Sequence, residues 1–147
     1  MQTIRINIVN TSDNPLPAYA TSGSAGMDLR ACLTAPVTLQ PLERQLIPTG
    51  LFIELPEGYE GQMRPRSGLA IKQGLTCLNS PGTVDADYRG ELKVILVNFS
   101  NTAQVINHGD RIAQLVIAKT ERAELILADQ LNESARGNGG FGHTGIK

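Results

Sequence analysis

Apolar and polar residues alternate with a period of two along much of this chain, and that alternation is the signature of β-strands. In GELKVILVNFS, residues 90–100, Leu92, Val94 and Leu96 face one side of a predicted strand, and the residues between them face the other. From Val94 onward the residues on both sides are apolar. We therefore expect this strand to be covered on both faces.

A second strand is predicted in the range 111–128, which is rich in Ile, Val and Leu. Its pattern has a polar break near Thr120 and Glu121. A helix over residues 121–128 is the alternative for the last part of this range.

Glycine and proline divide the rest of the chain into short segments. The fifteen glycines and eight prolines are spread along the sequence, and such frequent breaks favour many short strands. One other helical segment is predicted over residues 67–74, where Ser67 caps a single turn that Gly74 ends. We predict an all-β, jelly-roll-like barrel or sandwich with at most one short helix. This domain covers residues 1–134, and a flexible, glycine-rich arm follows over residues 135–147.

Composition and charge restrict the classes of function. The chain has 147 residues, enough for one core, and a formal net charge of −1. Such a balance creates no global field toward nucleic acid or an anionic membrane, so we expect neither as a partner. Cys32 and Cys77 are too few for a disulfide framework and are expected to be buried small hydrophobes. No apolar run fits a signal peptide or a membrane span, which favours a reducing, cytoplasmic location.

The arm contains GNGGFG, residues 137–142, which matches the dinucleotide-binding fingerprint in its letters only. That fingerprint needs a strand before it and a helix after it, and too few residues follow here to form a helix. The alternatives for this segment are a disordered terminus and a segment that folds onto a ligand. In the second case, Arg136 clamps a phosphate and Phe141 stacks on a ring.

The segment MRPRSGLAIKQG, residues 63–74, combines arginines, a serine and a glycine at the start of the predicted helical turn. The beginning of a helix favours anions, so Arg66 and the Ser67 hydroxyl are candidates for binding phosphate oxygens. Solvated surface charge is the alternative. Arg111 and Arg122 are assigned to the surface or to subunit contacts.

The segment DADYRGE, residues 85–91, begins like a calcium loop but lacks the later oxygen ligands of one. It is interpreted either as a plain turn or as a site in which Asp85 is the general base toward a water molecule. His108 is expected to be exposed in a turn. Asp28 lies in a strand-like segment and by itself indicates little.

Five segments, taken together and in order, make the chain resemble the trimeric dUTP pyrophosphatase (dUTPase) family. They are AGMDLRA (25–31), PRSGLAIKQG (65–74), GTVDADYRGELKVILVN (82–98), RIAQLVI (111–117) and RGNGGFGHTG (136–145). The resemblance implies a homotrimer with active sites between subunits and Mg²⁺-dependent hydrolysis of dUTP to dUMP and pyrophosphate. Such an activity limits uracil in DNA and supplies dUMP for dTMP synthesis.

The resemblance also implies roles for residues around the nucleoside. Asp85 is expected to hold the deoxyribose 3′-hydroxyl and to activate the water that attacks the α-phosphate. Tyr88 is expected to pack on the sugar and to exclude a 2′-hydroxyl. Uracil is expected in the hairpin of residues 77–93, which also excludes a thymine methyl. The groups implied to read uracil are Asn79 and the backbone at Thr83, Val84 and Lys93.

The resemblance places the phosphates on a second set of residues, which comprises Arg66, Ser67, Gly68 and Gln114. Asp28 is similar to the carboxylate that steadies water around the metal, while phosphates and water are the expected direct ligands of Mg²⁺. Arg136 is implied to grip the γ-phosphate and Phe141 to cover the uracil of a neighbouring subunit. His143 stands where many members carry Ser, so no contact is assigned to it.

Three rival functions are compatible with the same fold. A dCTP deaminase-like enzyme is expected to lack the Phe-containing tail and to have a different hairpin around the base. A module that binds deoxynucleotides without hydrolysing them is disfavoured by the presence of Asp85, Tyr88 and Arg136. A purely structural jelly roll leaves the polar segments unexplained.

Overall fold

The computed structural model describes residues 3–141 and residue 143, and it contains eleven β-strands and one α-helix within them. The longest strand has nine residues. In chain order the elements are β1 (Asn7–Asn10), β2 (Gly26–Arg30), β3 (Val37–Leu39), β4 (Arg44–Pro48), β5 (Leu51–Glu54), β6 (Tyr59–Arg64), α1 (Ser67–Gln73), β7 (Leu75–Cys77), β8 (Gly82–Val84), β9 (Lys93–Asn98), β10 (Gln104–Ile106) and β11 (Arg111–Lys119).

The strands pair antiparallel and form four small sheets. The largest sheet has the order β2-β11-β6-β8, and a three-stranded sheet has the order β4-β9-β7. The other two sheets are the pairs β1-β5 and β10-β3. Across residues 3–141 no sheet closes into a barrel. The predicted all-β, jelly-roll-like class with one short helix is confirmed, without the closed barrel.

The core is aliphatic, and β9 runs through it. Val94, Leu96 and Val97 of β9 are all buried, so consecutive residues on both of its faces are covered, as predicted. Asn98 at the end of β9 is also fully buried, and its amide donates to the carbonyls of Leu39 at 2.9 Å and Thr102 at 2.8 Å. A buried amide is tolerated because its polar atoms are satisfied in this way.

The short helix α1 forms at the predicted place, but its start differs from the prediction. Arg66 is the N-cap residue and makes no side-chain cap, while Ser67 is already the first helical residue. The assignment of Ser67 as the cap is therefore wrong. Gly74 ends the helix with φ of 65°, as predicted, and a Cβ there would lie 2.7 Å from the backbone nitrogen of Ser100.

None of the helices in the part of the chain that the structure describes is long and apolar enough to cross a bilayer.

The last strand is shorter than its sequence pattern predicts. β11 ends at Lys119, and residues 121–134 pair with no other strand within the described part of the chain. The strand prediction for residues 120–128 is therefore wrong for this chain, and the helix alternative is wrong as well. Apolar character alone does not form a strand, because the backbone needs a neighbouring strand to bond to. Four large apolar side chains in this stretch are more than four-fifths exposed: Leu125, Ile126, Leu127 and Leu131.

Candidate active site

A cavity of about 370 Å³ opens along the connection between β7 and β9. These strands pair with Cys77 opposite Leu96, and the connection between them contributes β8 to the edge of β6. Apolar side chains form part of the lining, among them Leu46, Met63 and Ile95. The fold brings together in this cavity all six residues assigned to the nucleoside, and their roles stay predictions: Asn79, Thr83, Val84, Asp85, Tyr88 and Lys93.

Asp85 begins a tight turn directly after β8. Its carbonyl accepts a hydrogen bond from the Tyr88 backbone N–H at 3.2 Å, so the DADYRG segment is a turn. The Asp85 side chain is exposed and makes no hydrogen bond or ion pair with the residues that the structure describes. An unpaired carboxylate at the edge of a cavity retains its acceptor oxygens for a water molecule or a hydroxyl.

The Tyr88 ring folds back over the same turn. Its hydroxyl donates to the Glu91 carbonyl at 3.0 Å, and the ring lies so close to Gly90 that a Cβ at Gly90 would collide with it. Arg89 stabilises the turn from outside, since its guanidinium donates to the Ala86 carbonyl at 2.7 Å. The ring is therefore held at the cavity wall rather than free to rotate into solvent.

Glu91 also lines the cavity, although no sequence pattern pointed to it. One of its carboxylate oxygens accepts the Gly50 backbone N–H at 2.8 Å, and the other lies 3.5 Å from the Lys93 ammonium. Because Gly50 is 41 residues away in the sequence, only the tertiary structure reveals this contact.

A second polar cluster lies on the largest sheet and contains Asp28, Arg66 and Arg111. The Arg66 guanidinium donates to both Asp28 oxygens, with Nε at 2.8 Å and Nη2 at 3.4 Å. Arg111 approaches the same carboxylate at 3.3 Å, and its carbonyl accepts Arg66 Nη1 at 3.3 Å. Arg111 is on the surface, as predicted, but its charge is paired with Asp28, so Arg111 belongs to this cluster. Two guanidinium groups and one carboxylate leave a net charge of +1, which suits an anion.

Gln114 lies beside this cluster at the centre of the sheet. It pairs in register with Asp28 on β2 and with Arg64 on β6. Its side-chain amide donates to the Pro65 carbonyl at 2.9 Å. Gly26 leaves room for that amide, since a Cβ at Gly26 would lie 2.5 Å from Gln114 Oε1. Ser67 and Gly68, also assigned to phosphate binding, are exposed at the start of α1, directly after Arg66.

The two groups of predicted site residues do not meet within one chain. Asp28 on β2 is three strand positions away from β8, and Asp85 follows Val84, which pairs with Gly61. Asp28 lies opposite Gln114, which in turn pairs with Arg64 and not with Gly61. The two carboxylates are therefore also displaced from each other along the strand direction. Standard strand spacings place Asp28 and Asp85 on the order of 20 Å apart.

The described residues after Thr120, including those of the arm, make no hydrogen bond to residues 3–120. Arg136 Nε donates to the Gly139 carbonyl at 2.8 Å, and the Gly137 N–H donates to the Ser134 carbonyl at 3.0 Å. Phe141 is fully exposed. Arg136 and Phe141 therefore contact neither the cavity nor the arginine cluster of their own chain. Gly142 and residues 144–147 of the predicted arm lie outside the described residues.

Potential metal ligands are sparse. Across the described residues, no group of three or more His, Cys, Asp or Glu side chains is arranged to hold a metal ion. Both oxygens of Asp28 already face arginines. Since Mg²⁺ commonly takes its ligands from substrate phosphates and water, this donor set fits Mg²⁺ brought by a polyphosphate and not an all-protein metal cage.

Two cysteines and a histidine lie outside the site. Cys77 is buried as predicted, and burial raises the pKa of its thiol to about 11, whereas Cys32 is only half-buried. His108 is exposed as predicted but is not isolated. Its Nε2 lies 2.7 Å from the Asp13 carboxylate, and its Nδ1 accepts the Leu33 N–H at 3.1 Å.

The family model described as dUTPase matches residues 12–145. A deoxyuridine 5′-triphosphate nucleotidohydrolase from Cytophaga hutchinsonii is 62% identical over 143 residues, which cover 97% of this chain and 93% of that protein. Its counterpart from Finegoldia magna is 55% identical over 142 residues, covering 97% and 99% of the two chains.

Solved structures show the same fold. The dUTPase of Staphylococcus bacteriophage 80alpha, in complex with dUPNHPP, superposes with a TM-score of 0.86 at 27% identity and covers 98% of this chain and 100% of its own. A mutant dUTPase from phage phi11 of S. aureus, which coordinates a structural Mg(II) ion, has a TM-score of 0.77 at 25% identity and covers 88% and 100%. By its sequence and its fold, this chain belongs to the dUTPase family.

Proposed function

We propose that this chain hydrolyses dUTP to dUMP and pyrophosphate, which limits uracil in DNA and supplies dUMP for dTMP synthesis. Family membership supports the reaction class, and the names of the relatives support the substrate. The observation that carries the proposal is the cavity in which Asp85 and Tyr88 stand beside Asn79 and Lys93. One wall of this cavity thus offers a carboxylate, an aromatic ring and polar groups to a nucleoside.

In the proposed mechanism, Asp85 accepts the 3′-hydroxyl of the deoxyribose and takes a proton from the water that attacks the α-phosphate. Its side chain is exposed and unpaired among the described residues, so its oxygens are available to a hydroxyl group and a water molecule. Tyr88 is held against Gly90 and the Glu91 carbonyl, where a ring packed on the sugar leaves no space for a 2′-hydroxyl.

Uracil recognition is assigned to the same cavity. Asn79 and the backbone around Thr83, Val84 and Lys93 are proposed to read its polar edge. Apolar neighbours, Met63 and Ile95 among them, line the same cavity. The same hairpin is proposed to exclude the thymine methyl group, because an added methyl in a closely packed base site must displace neighbouring atoms.

The phosphates are assigned to Arg66, Ser67, Gly68 and Gln114. Asp28 accepts from Nε and Nη2 of the Arg66 guanidinium and the Arg111 carbonyl accepts from Nη1, which leaves one N–H on each terminal nitrogen for a phosphate. Phosphoryl transfer depends mainly on positioning and charge neutralisation, which a pre-oriented guanidinium supplies. When bound to the phosphates, Mg²⁺ supplies further neutralisation. Asp28 is proposed to steady the water molecules around that ion.

We propose that the enzyme is a homotrimer whose active sites are shared between subunits. A general base acts directly or through one water, so Asp85 must lie within about 6 Å of the reacting phosphate. Within one chain the phosphate cluster is on the order of 20 Å from Asp85. A second subunit that contributes the cluster completes the site. The exposed apolar side chains of Leu125, Ile126 and Leu127 favour burial against another chain.

The arm is proposed to complete the site from a neighbouring subunit. Arg136 would bind the γ-phosphate and Phe141 would cover the uracil, as the family resemblance implies. Both side chains are available, since Phe141 is fully exposed and Arg136 bonds only within the arm among the described residues. The separation into a domain of residues 1–134 and an arm of residues 135–147 is part of this proposal. We also propose a cytoplasmic location for the protein, where its nucleotide substrate is found.

The decisive experiment incubates the protein with Mg²⁺ and dUTP, dCTP, dTTP or UTP in parallel, and measures nucleotide binding, pyrophosphate and any change of the base. We expect pyrophosphate from dUTP alone. Deamination of dCTP would instead identify a deaminase, and binding without product would identify a binding module. Sedimentation equilibrium of the same sample tests the trimer, and a monomer with full activity would refute the shared site.

A further inference from the structure

Glu91 connects three parts of the molecule that meet at the nucleoside cavity. Its carboxylate accepts the Gly50 N–H at 2.8 Å and lies 3.5 Å from the Lys93 ammonium. Its carbonyl accepts the Tyr88 hydroxyl at 3.0 Å. The side chain is 21% exposed, so these contacts are partly shielded from water.

The Gly50 end of this connection is rigid. Gly50 is buried with φ of 71°, and its carbonyl accepts the Thr11 backbone N–H at 2.8 Å. A Cβ at Gly50 would lie 2.9 Å from the Ser12 side chain, so the backbone is closely packed there. The Gly50 N–H needs a partner because a buried donor without one is costly, and the Glu91 carboxylate provides a charge-assisted bond.

The residues on either side strengthen the same junction. The Thr49 hydroxyl donates to the Leu92 carbonyl at 2.6 Å, and the Leu92 N–H donates to the Leu51 carbonyl at 2.8 Å. Thr49 and Leu92 are almost fully buried. Glu91 is therefore the first residue after the exposed turn of Asp85 and Tyr88 whose position is set by the core.

We propose that Glu91 is a positioning residue that sets the sugar selectivity of the site by holding the acceptor of the Tyr88 hydroxyl. Anchored on the Gly50 N–H, it keeps its own carbonyl, and through it the Tyr88 ring, at a constant depth in the cavity. The second oxygen of the Glu91 carboxylate orients the Lys93 ammonium. This inference rests on the proposed preference of the site for deoxyuridine nucleotides.

The experiment measures binding and hydrolysis separately. Calorimetry with Mg²⁺ gives the Kd of the α,β-imido analogues of dUTP and UTP, and their ratio is the sugar preference. The variants are Glu91→Ala, which removes the acceptor, and Glu91→Gln, which keeps a neutral acceptor of the same length. Glu57→Ala is the matched control, because Glu57 is exposed and lies outside the cavity lining.

We expect Glu91→Ala to lower the sugar preference about tenfold, because the Gly50 N–H loses its partner and the Tyr88 acceptor shifts. Glu91→Gln should restore the preference to within about twofold of wild type, since the amide oxygen accepts the same hydrogen bond. Should Glu91→Ala not fold, Glu91→Asp replaces it, because its shorter side chain cannot reach Gly50. We expect the Asp variant to lose the preference as well.

A lowered melting temperature with an unchanged sugar preference in the Ala variant would overturn the inference and leave Glu91 a purely structural residue. Failure of Glu91→Gln to restore the preference, or a wild type without any preference, would also overturn it. A wild type that prefers the deoxy analogue yet releases no pyrophosphate from dUTP would refute the proposed hydrolysis and leave the inference about Glu91 intact.

Discussion

Replacing Gly26 by alanine should impair the phosphate half of the site while leaving the fold intact. A Cβ at Gly26 would lie 2.5 Å from Gln114 Oε1 and 3.3 Å from its Cδ. To reach normal contact distance, the amide must move by about 1 Å. Such a movement breaks the 2.9 Å hydrogen bond from the Gln114 amide to the Pro65 carbonyl.

Two opposing effects set the change in stability. Losing the hydrogen bond costs roughly 1 kcal/mol, whereas replacing glycine by alanine in a strand stabilises by about 0.5 to 1 kcal/mol through the unfolded state. The net change is close to zero, so the melting temperature should stay within about 3 °C of wild type. Activity is more sensitive, because a 1 Å misplacement of a positioning group costs up to ~100-fold in rate.

The assay is steady-state pyrophosphate release from dUTP with Mg²⁺, combined with thermal unfolding. Gly23→Ala is the matched control, since nothing lies within 4 Å of a Cβ there, and it should retain full activity. If Gly26→Ala acts through Gln114, adding it to Gln114→Ala should cause no further loss. An unchanged kcat/KM in Gly26→Ala, or a further loss in the double variant, would refute this reasoning.

Three other changes test separate parts of the structure. Asp85→Asn should still bind dUTP but lose about 100-fold or more in kcat, and unchanged pyrophosphate release would remove Asp85 as the general base. Deleting residues 135–147 should leave the melting temperature within about 2 °C of wild type, since the described part of the arm bonds only to itself, and should abolish activity. Full activity without the arm would contradict its proposed role in the site. At pH 8 a thiol reagent should label Cys32 and spare Cys77, whose pKa is raised by burial to about 11. Because that pKa lies above its unfolded value of 9.0, the stability contributed by the neutral thiol is complete below pH 9 and is lost as the pH rises through about 11. If a Cys77→Ala variant lost the same stability between these pH values, the loss could not be assigned to the Cys77 thiol.

The sequence predicted the parts of this molecule that depend on local pattern. Period-two alternation located β9 and its burial on both faces, and the glycine after the helical turn located the end of α1. The six residues assigned to the nucleoside lie within one segment of the chain, from Asn79 to Lys93, so their proximity follows from sequence order.

Long-range contacts could not be predicted from the sequence. Arg111 joins Asp28 across 83 residues, and Glu91 joins Gly50 across 41, and no periodicity reports either contact. The apolar stretch after Lys119 has the composition of a strand but no partner within the described part of its own chain. Composition indicates that such a stretch needs to be buried, and it does not indicate which chain buries it.

The separation of the two polar clusters on one sheet has a genetic consequence. If each site takes Asp85 from one subunit and Arg66 from another, an oligomer of subunits that all lack Asp85 contains no intact site, and the same holds for Arg66. An oligomer mixed from the two kinds of subunit regains some intact sites. Two loss-of-function alleles in the same cell would then complement each other, whereas one such allele beside a normal copy would also inactivate sites to which normal subunits contribute.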